Sequence, residues 1–187
     1  MPPTKERALQ AALELLGEAG IRALTHARVD TQAQLPKGST SNFFRTRTAL
    51  LVGTVQELAA REATSISGLL PPESEQGLLD VLCSQFRQAT TQDHVLSTAR
   101  FALLIEGVGH PEVRAAIAAG RVGFEQLIAP LLERLGALEP EVGANALMSA
   151  YEGMLLYHLA RGAGPDPRPT LSLVLAAILP QSKTFTP

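Results

Sequence analysis

The segment Pro36-Lys37-Gly38-Ser39-Thr40-Ser41-Asn42-Phe43-Phe44-Arg45-Thr46-Arg47 brings together side chains suited to reading another molecule. Ser39, Thr40, Ser41 and Asn42 are short hydrogen-bonding groups. Such residues let a helix sink towards the base edges of a major groove, where bulkier ones would hold its backbone off. The same composition also marks a turn, because Ser, Thr and Asn bond readily to their own backbone, and both readings fit the segment taken alone. Charge adds a second clue. Residues 1–61 hold eight Lys/Arg against five acids and the remainder eight against thirteen, while between residues 22 and 47 the ratio is five to one. A basic N-terminal third on an acidic remainder points to a polyanionic partner at one end, or to an ordinary solvated basic face.

Catalytic chemistry is not spelled out anywhere. His26, His94, His110 and His158 fall at no metal-ligand spacing such as H-E-x-x-H or E-x-x-H, and no G-x-S-x-G elbow, Walker loop or G-x-G-x-x-G is present. Cys83 lies on an apolar stretch, where a buried thiol is a simpler reading than a nucleophile. Being alone, it forms no intrachain disulfide and gives no sign of an oxidising compartment. We therefore expect no catalytic residue, metal or cofactor. Charged Lys5, Glu6 and Arg7 precede the first apolar run, which Glu14 breaks, so no signal peptide is expected. Thr170 to Pro180 is far short of the roughly 20 residues that span a bilayer. No membrane segment is expected, and the cytoplasm is the expected location.

These residues must be held by something, and the hydrophobic pattern says what. The chain has 187 residues, 45% hydrophobic, 18% charged and 4% aromatic with no Trp, so its core must be built from Leu, Ala, Val and Ile. Leu9, Ala12, Leu13 and Leu16 repeat at helical spacing from about Thr4 to Ala19, with Gly20 as a stop. Thr25 caps a short helix to about Gln34, a second short segment runs from Lys37 to Phe44, and Thr46 caps a long helix to about Ile66. Pro71-Pro72 marks a boundary. Helices are then expected over 74–91, 94–107, 111–135 and 140–161, followed by an apolar tail from Pro169 to Pro180. Strict alternation and fixed repeats are absent. The expected class is all-α with eight or nine helices, and two short helices in a tight connection form a helix-turn-helix candidate.

From Gly20 to Leu51 the sequence resembles the DNA-binding signature of the tetracycline-repressor (TetR) family. Gly20-Ile21 closes the first helix, Ala23-Leu24-Thr25 opens the second, Lys37-Gly38-Ser39 opens the third, and Phe43-Phe44-Arg45-Thr46-Arg47-Thr48-Ala49-Leu50-Leu51 is similar to the family's aromatic-Phe-x-Ser/Thr-Lys/Arg-x-x-Leu-Leu run. The resemblance implies a three-helix DNA-binding domain over 1–48 and a helical ligand-binding and dimerisation domain over 49–187. It places Ser39, Thr40, Ser41 and Asn42 on a groove-facing recognition helix, with Gly38, Phe43 and Arg45 beside them. It makes Lys37, Arg47 and Thr25 phosphate contacts, and Phe44 an inward wedge. Three positions depart from the pattern. Ser41 stands where the family often has an aromatic phosphate contact. Asp30 replaces a small residue and either caps the third helix or is solvated. Gln34 sits where the turn usually has glycine, which implies a left-handed residue there.

By the same resemblance the protein is a sequence-specific regulator, a repressor released from double-stranded DNA by a small-molecule effector of unknown identity. A small helical enzyme, or a helical adaptor without DNA binding, is the alternative. Phe86, His94, Phe101, Phe124, Tyr151, Met154 and His158 could line an apolar pocket with a few polar groups, or simply be core and rim residues. The tail is apolar nearly all round, more than one protomer can cover. Leu171, Val174, Leu175 and Ile178 are therefore expected in a four-helix homodimer interface, and a twofold dimer implies an inverted-repeat operator.

Overall fold

Leu9, Leu13 and Leu16 share one face of a helix. In the computed structural model, which describes residues 3–67 and 72–180 (backbone only at 66 and 67), that helix, α1, runs Thr4–Ala19 and ends at Gly20, whose φ of 72° returns its N–H to the Leu16 carbonyl. A single turn of 3-10 helix, Ile21–Ala23, follows, which no local pattern announced. Then come α2 (His26–Gln32), α3 (Ser39–Phe43), α4 (Arg47–Ser67), α5 (Glu75–Thr90), α6 (His94–Gly109), α7 (Pro111–Arg134), α8 (Pro140–Arg161) and α9 (Pro167–Ile178). Among the described residues these nine α-helices are joined by no strand. Pro71 of the expected boundary lies outside the described residues.

Local chemistry sets most of the ends. Thr25 Oγ1 accepts from the Arg28 N–H, Thr46 Oγ1 from Ala49 and Ser74 Oγ from Gly77, so each caps the helix it precedes. Pro140 occupies the first turn of α8, and Gly162, with φ 70°, closes it. The last helix begins two residues earlier than expected, because Asp166 accepts from the Arg168 N–H and Pro167 suits the first turn.

The chain divides into two compact units, residues 1–68 with 91–122 and residues 69–90 with 123–187. In the first, α1 is central. Leu9, Leu13 and Leu16 pack with Leu50, Leu51 and Val55 of α4 and with Ala99 and Leu103 of α6. Each fully buried leucine contributes about 1.5–3 kcal/mol. In the second, Leu78 and Leu79 of α5, Leu132 of α7, Leu147 of α8 and Leu171 and Leu175 of α9 form a separate core. By length and mean hydropathy α7 is the one helix among the described residues that could cross a membrane. Glu112, Arg114, Arg121 and Glu125 interrupt it, and its Val113 and Leu132 are spent on the two cores.

Candidate nucleic-acid interface

The connection between α2 and α3 is a left-handed helix stop built on Gln34, whose φ is 54°. The Leu35 N–H reaches the Asp30 carbonyl at 2.8 Å and the Gln34 N–H the Thr31 carbonyl at 3.1 Å. This is the paired bonding in which glycine is usual, so Gln34 bears the strain the family resemblance implied. Arg7, on α1, fastens the turn from behind by donating to the carbonyls of Ala33 (2.6 Å) and Gln34 (3.1 Å). Sequence reasoning missed that contact, which spans 26 residues.

Helix α3 has only five residues and no side-chain cap of its own, since Gly38 precedes it with φ 90°. Asp30 supplies the cap from α2. Its carboxylate accepts from the Gly38 N–H at 2.7 Å, the Thr40 N–H at 2.8 Å and the Thr40 hydroxyl at 2.5 Å. Asp30 is 4% exposed. Burial alone would raise its pKa, but the bonds from Thr40 and Gly38 and the nearby His26 outweigh it and hold the carboxyl below its ordinary value. Of the two readings of Asp30, the cap is the one observed. Thr40 needs a correction: counted among the groove-facing residues, it is fully buried and committed to Asp30.

At the far end of α3, Phe44 turns inward at 5% exposure, as the resemblance implied. Gly53 makes room for it; a Cβ there would stand 2.5 Å from Phe44 Cε1. His26 Nε2 donates to the Phe44 carbonyl at 2.6 Å, tying the start of α2 to the end of α3. Lys5 Nζ lies 5.9 Å from the centre of the Phe44 ring.

With both ends of α3 pinned, one side is left outward. Ser41, Asn42 and Phe43 are exposed, and so are Thr25, Lys37, Arg45 and Arg47 at the flanks; Gly38 and Ser39 are half-buried. The Ser39 hydroxyl donates to the Pro36 carbonyl at 2.6 Å. Lys37 and Arg45 meet no acid among the described residues. Arg47 is different: its guanidinium donates to Glu106 of α6 at 2.8 Å and to the Ile21 carbonyl at 3.2 Å.

The other predicted residues separate by unit. Phe86, Phe124, Tyr151, Met154 and His158 belong to the second. There the Phe86 ring meets Tyr151 and His158 edge-on, each at 5.7 Å. Among the described residues, His158 Nδ1 is the buried side-chain atom without a hydrogen-bond partner. Phe101 belongs to the first unit, as does His94, which is exposed and bonded to the Thr91 carbonyl. On α9 the expected interface splits. Leu171 and Leu175 are fully buried in the protomer's own core and have no surface to offer a second chain, which corrects their placement. Val174 and Ile178 are half-buried, and Leu173 is 73% exposed. Cys83 is buried, and burial pushes its thiol pKa up. No group of three His, Cys, Asp or Glu among the described residues could hold a metal ion.

Residues 73–181 match the family model described as the Tetracyclin repressor-like C-terminal domain. No curated protein sequence matches the chain. Among solved structures, a TetR transcription regulator from Haloarcula marismortui superposes with a TM-score of 0.80 at 16% identity, over 94% of this chain and 98% of that one. The multidrug binding protein EbrR, solved with ethidium, gives 0.77 at 23% identity over 95% and 99%. A TetR-family member from Streptomyces coelicolor A3 gives 0.73 at 22% identity over 96% and 99%.

Proposed function

The chain belongs to the tetracyclin repressor-like (TetR) family of transcriptional regulators, which are not enzymes, and from that premise we propose that it is a sequence-specific DNA-binding repressor whose grip on an operator is released by a small molecule. In this reading residues 1–48 dock on DNA, and residues 49–187 bind the effector and dimerise, in the cytoplasm. One observation carries the DNA reading. Helix α3 is fixed from behind by Asp30 and Phe44, and the turn before it by Arg7, while Ser41, Asn42 and Phe43 face outward between Lys37 and Arg45, cations that meet no acid among the described residues. A short rigid helix with small polar residues between two free charges suits groove entry, with phosphates at its flanks.

The effector site we propose lies in the second unit, around Phe86, Phe124, Tyr151 and Met154. Among the described residues His158 Nδ1 is the buried side-chain polar atom without a partner and offers a polar handle there, since buried polar atoms normally have partners. EbrR, of the same fold, is a multidrug binding protein solved with ethidium, which makes such dyes reasonable first probes. For the dimer, Leu156 and Tyr157 of α8 and Leu173 of α9, exposed by 46%, 69% and 73%, supply the apolar face. A twofold dimer then requires an inverted repeat whose half-sites are about 34–36 Å apart or a multiple of this.

Fluorescence anisotropy with DNA from just upstream of the protein's own gene and with scrambled duplexes, at several salt concentrations, tests the reading. Lys37→Ala should weaken all duplexes alike and make the salt dependence shallower by about one unit. Asn42→Ala should cost about 1–3 kcal/mol on the operator alone. The assignment of α3 as the reading helix fails if Lys37→Ala alters sequence preference while Asn42→Ala lowers affinity uniformly.

A further inference from the structure

Arg47 begins α4 immediately beyond the outward face of α3, yet it is not available as Lys37 and Arg45 are. Its guanidinium spans from the Ile21 carbonyl to Oε1 of Glu106, 59 residues away near the end of α6. The Glu106 side chain is only 17% exposed against 43% for Arg47, so the carboxylate is the sheltered partner and the guanidinium the one that solvent and ligands can reach. One turn further on, His110 Nε2 lies 3.3 Å from the same Glu106 oxygen. A carboxylate and a phosphate ester offer a guanidinium the same kind of acceptor, and Arg cannot engage both fully with one face of its fork.

We propose that Glu106 is an internal competitor for DNA phosphate, holding Arg47 in the unbound chain and yielding it to the backbone of the duplex on binding. The proposal rests on the DNA-binding reading above and adds to it a residue of α6 that lowers DNA affinity. A half-exposed ion pair is weak enough to exchange. Release of Arg47 does not strand the sheltered carboxylate, because His110 remains within reach as a donor. The exchange writes the position of α6 into the DNA equilibrium: any shift that draws Glu106 away from Arg47 raises affinity, and any shift that tightens the pair lowers it.

Glu106→Gln keeps the shape and removes the charge. It should tighten binding to operator and scrambled duplexes by the same factor, roughly two- to fivefold. It should also steepen the salt dependence, since wild-type Arg47 breaks one ion pair to make another. Glu112→Gln, which removes an exposed charge at the start of α7, should give a smaller gain than Glu106→Gln, and in an Arg47→Ala background the gain of Glu106→Gln should shrink to no more than that of Glu112→Gln. Glu106→Asp, one methylene shorter, provides a milder variant should Glu106→Gln melt early, and is expected to give an intermediate gain. Unchanged or weaker binding by Glu106→Gln, or a gain that survives Arg47→Ala undiminished, overturns the competition while wild-type DNA binding stands. If no form of the chain binds any duplex, the DNA reading falls and the competition with it.

Discussion

Asp30 carries an ionised carboxyl into a nearly closed space, and three hydrogen bonds from Gly38 and Thr40 keep it there. Removing the acceptor leaves two N–H groups and a hydroxyl unsatisfied at the start of a five-residue helix that has no other cap. Asp30→Ala should therefore destabilise the protein by about 2 kcal/mol in thermal or urea unfolding. The pH dependence has a definite sign. A folded-state pKa held below the unfolded value makes the contribution of Asp30 complete above about pH 4 and loses it as the pH falls through the folded value. The stability gap between wild type and Asp30→Asn should thus be flat at neutral pH and narrow on acidification below about pH 4; a gap that widens there would mean the carboxylate is not held ionised by its partners. The choice between cap and solvated acid was open from the sequence. A cap eight to ten residues upstream of the helix it serves follows no local pattern; it exists only because α2 and α3 are folded back on one another.

Helices were the legible level. Thr25, Thr46 and Ser74 cap, and Gly20 and Gly162 stop, through contacts a few residues long, so the boundaries of α1, α5 and α8 fell within about a residue of expectation. How closely two helices approach was not legible. A Cβ on Gly17 of α1 would lie 2.0 Å from the Val95 carbonyl oxygen in the first turn of α6, so the two backbones cross in near contact there. Propensity alone says that Gly17→Ala in a helix should stabilise by about 0.5–1 kcal/mol. Here the clash is with backbone, which cannot rotate aside, and the sign should reverse: we expect destabilisation of about 1–3 kcal/mol, read by thermal unfolding. A stabilised Gly17→Ala would show that α1 and α6 stand further apart than described.

For the whole molecule, the proposed dimer turns on which leucines of α9 remain available. Leu173→Arg alters a side chain that is 73% exposed, and should abolish self-association in sedimentation at micromolar concentration with little loss of stability. Leu175→Arg instead forces a charge into a fully buried site and should unfold the second unit, whatever the association state. A wild type that sediments as a monomer would remove the dimer altogether. The same contrast runs through the entire chain. The sequence by itself determined the all-helical class and most of the helix ends, because periodicity and caps act over one or two turns and are written in neighbouring residues; the left-handed turn at Gln34 and the inward wedge of Phe44 were legible only through the family resemblance. It could not say that Thr40 is consumed by Asp30, that Leu171 and Leu175 point into their own protomer while Leu173 points out, or that Glu106 reaches Arg47 across 59 residues. A helix apolar on every side gives no hint of which side is covered first. Only the packing of distant elements decides which side chains are buried and which charges meet.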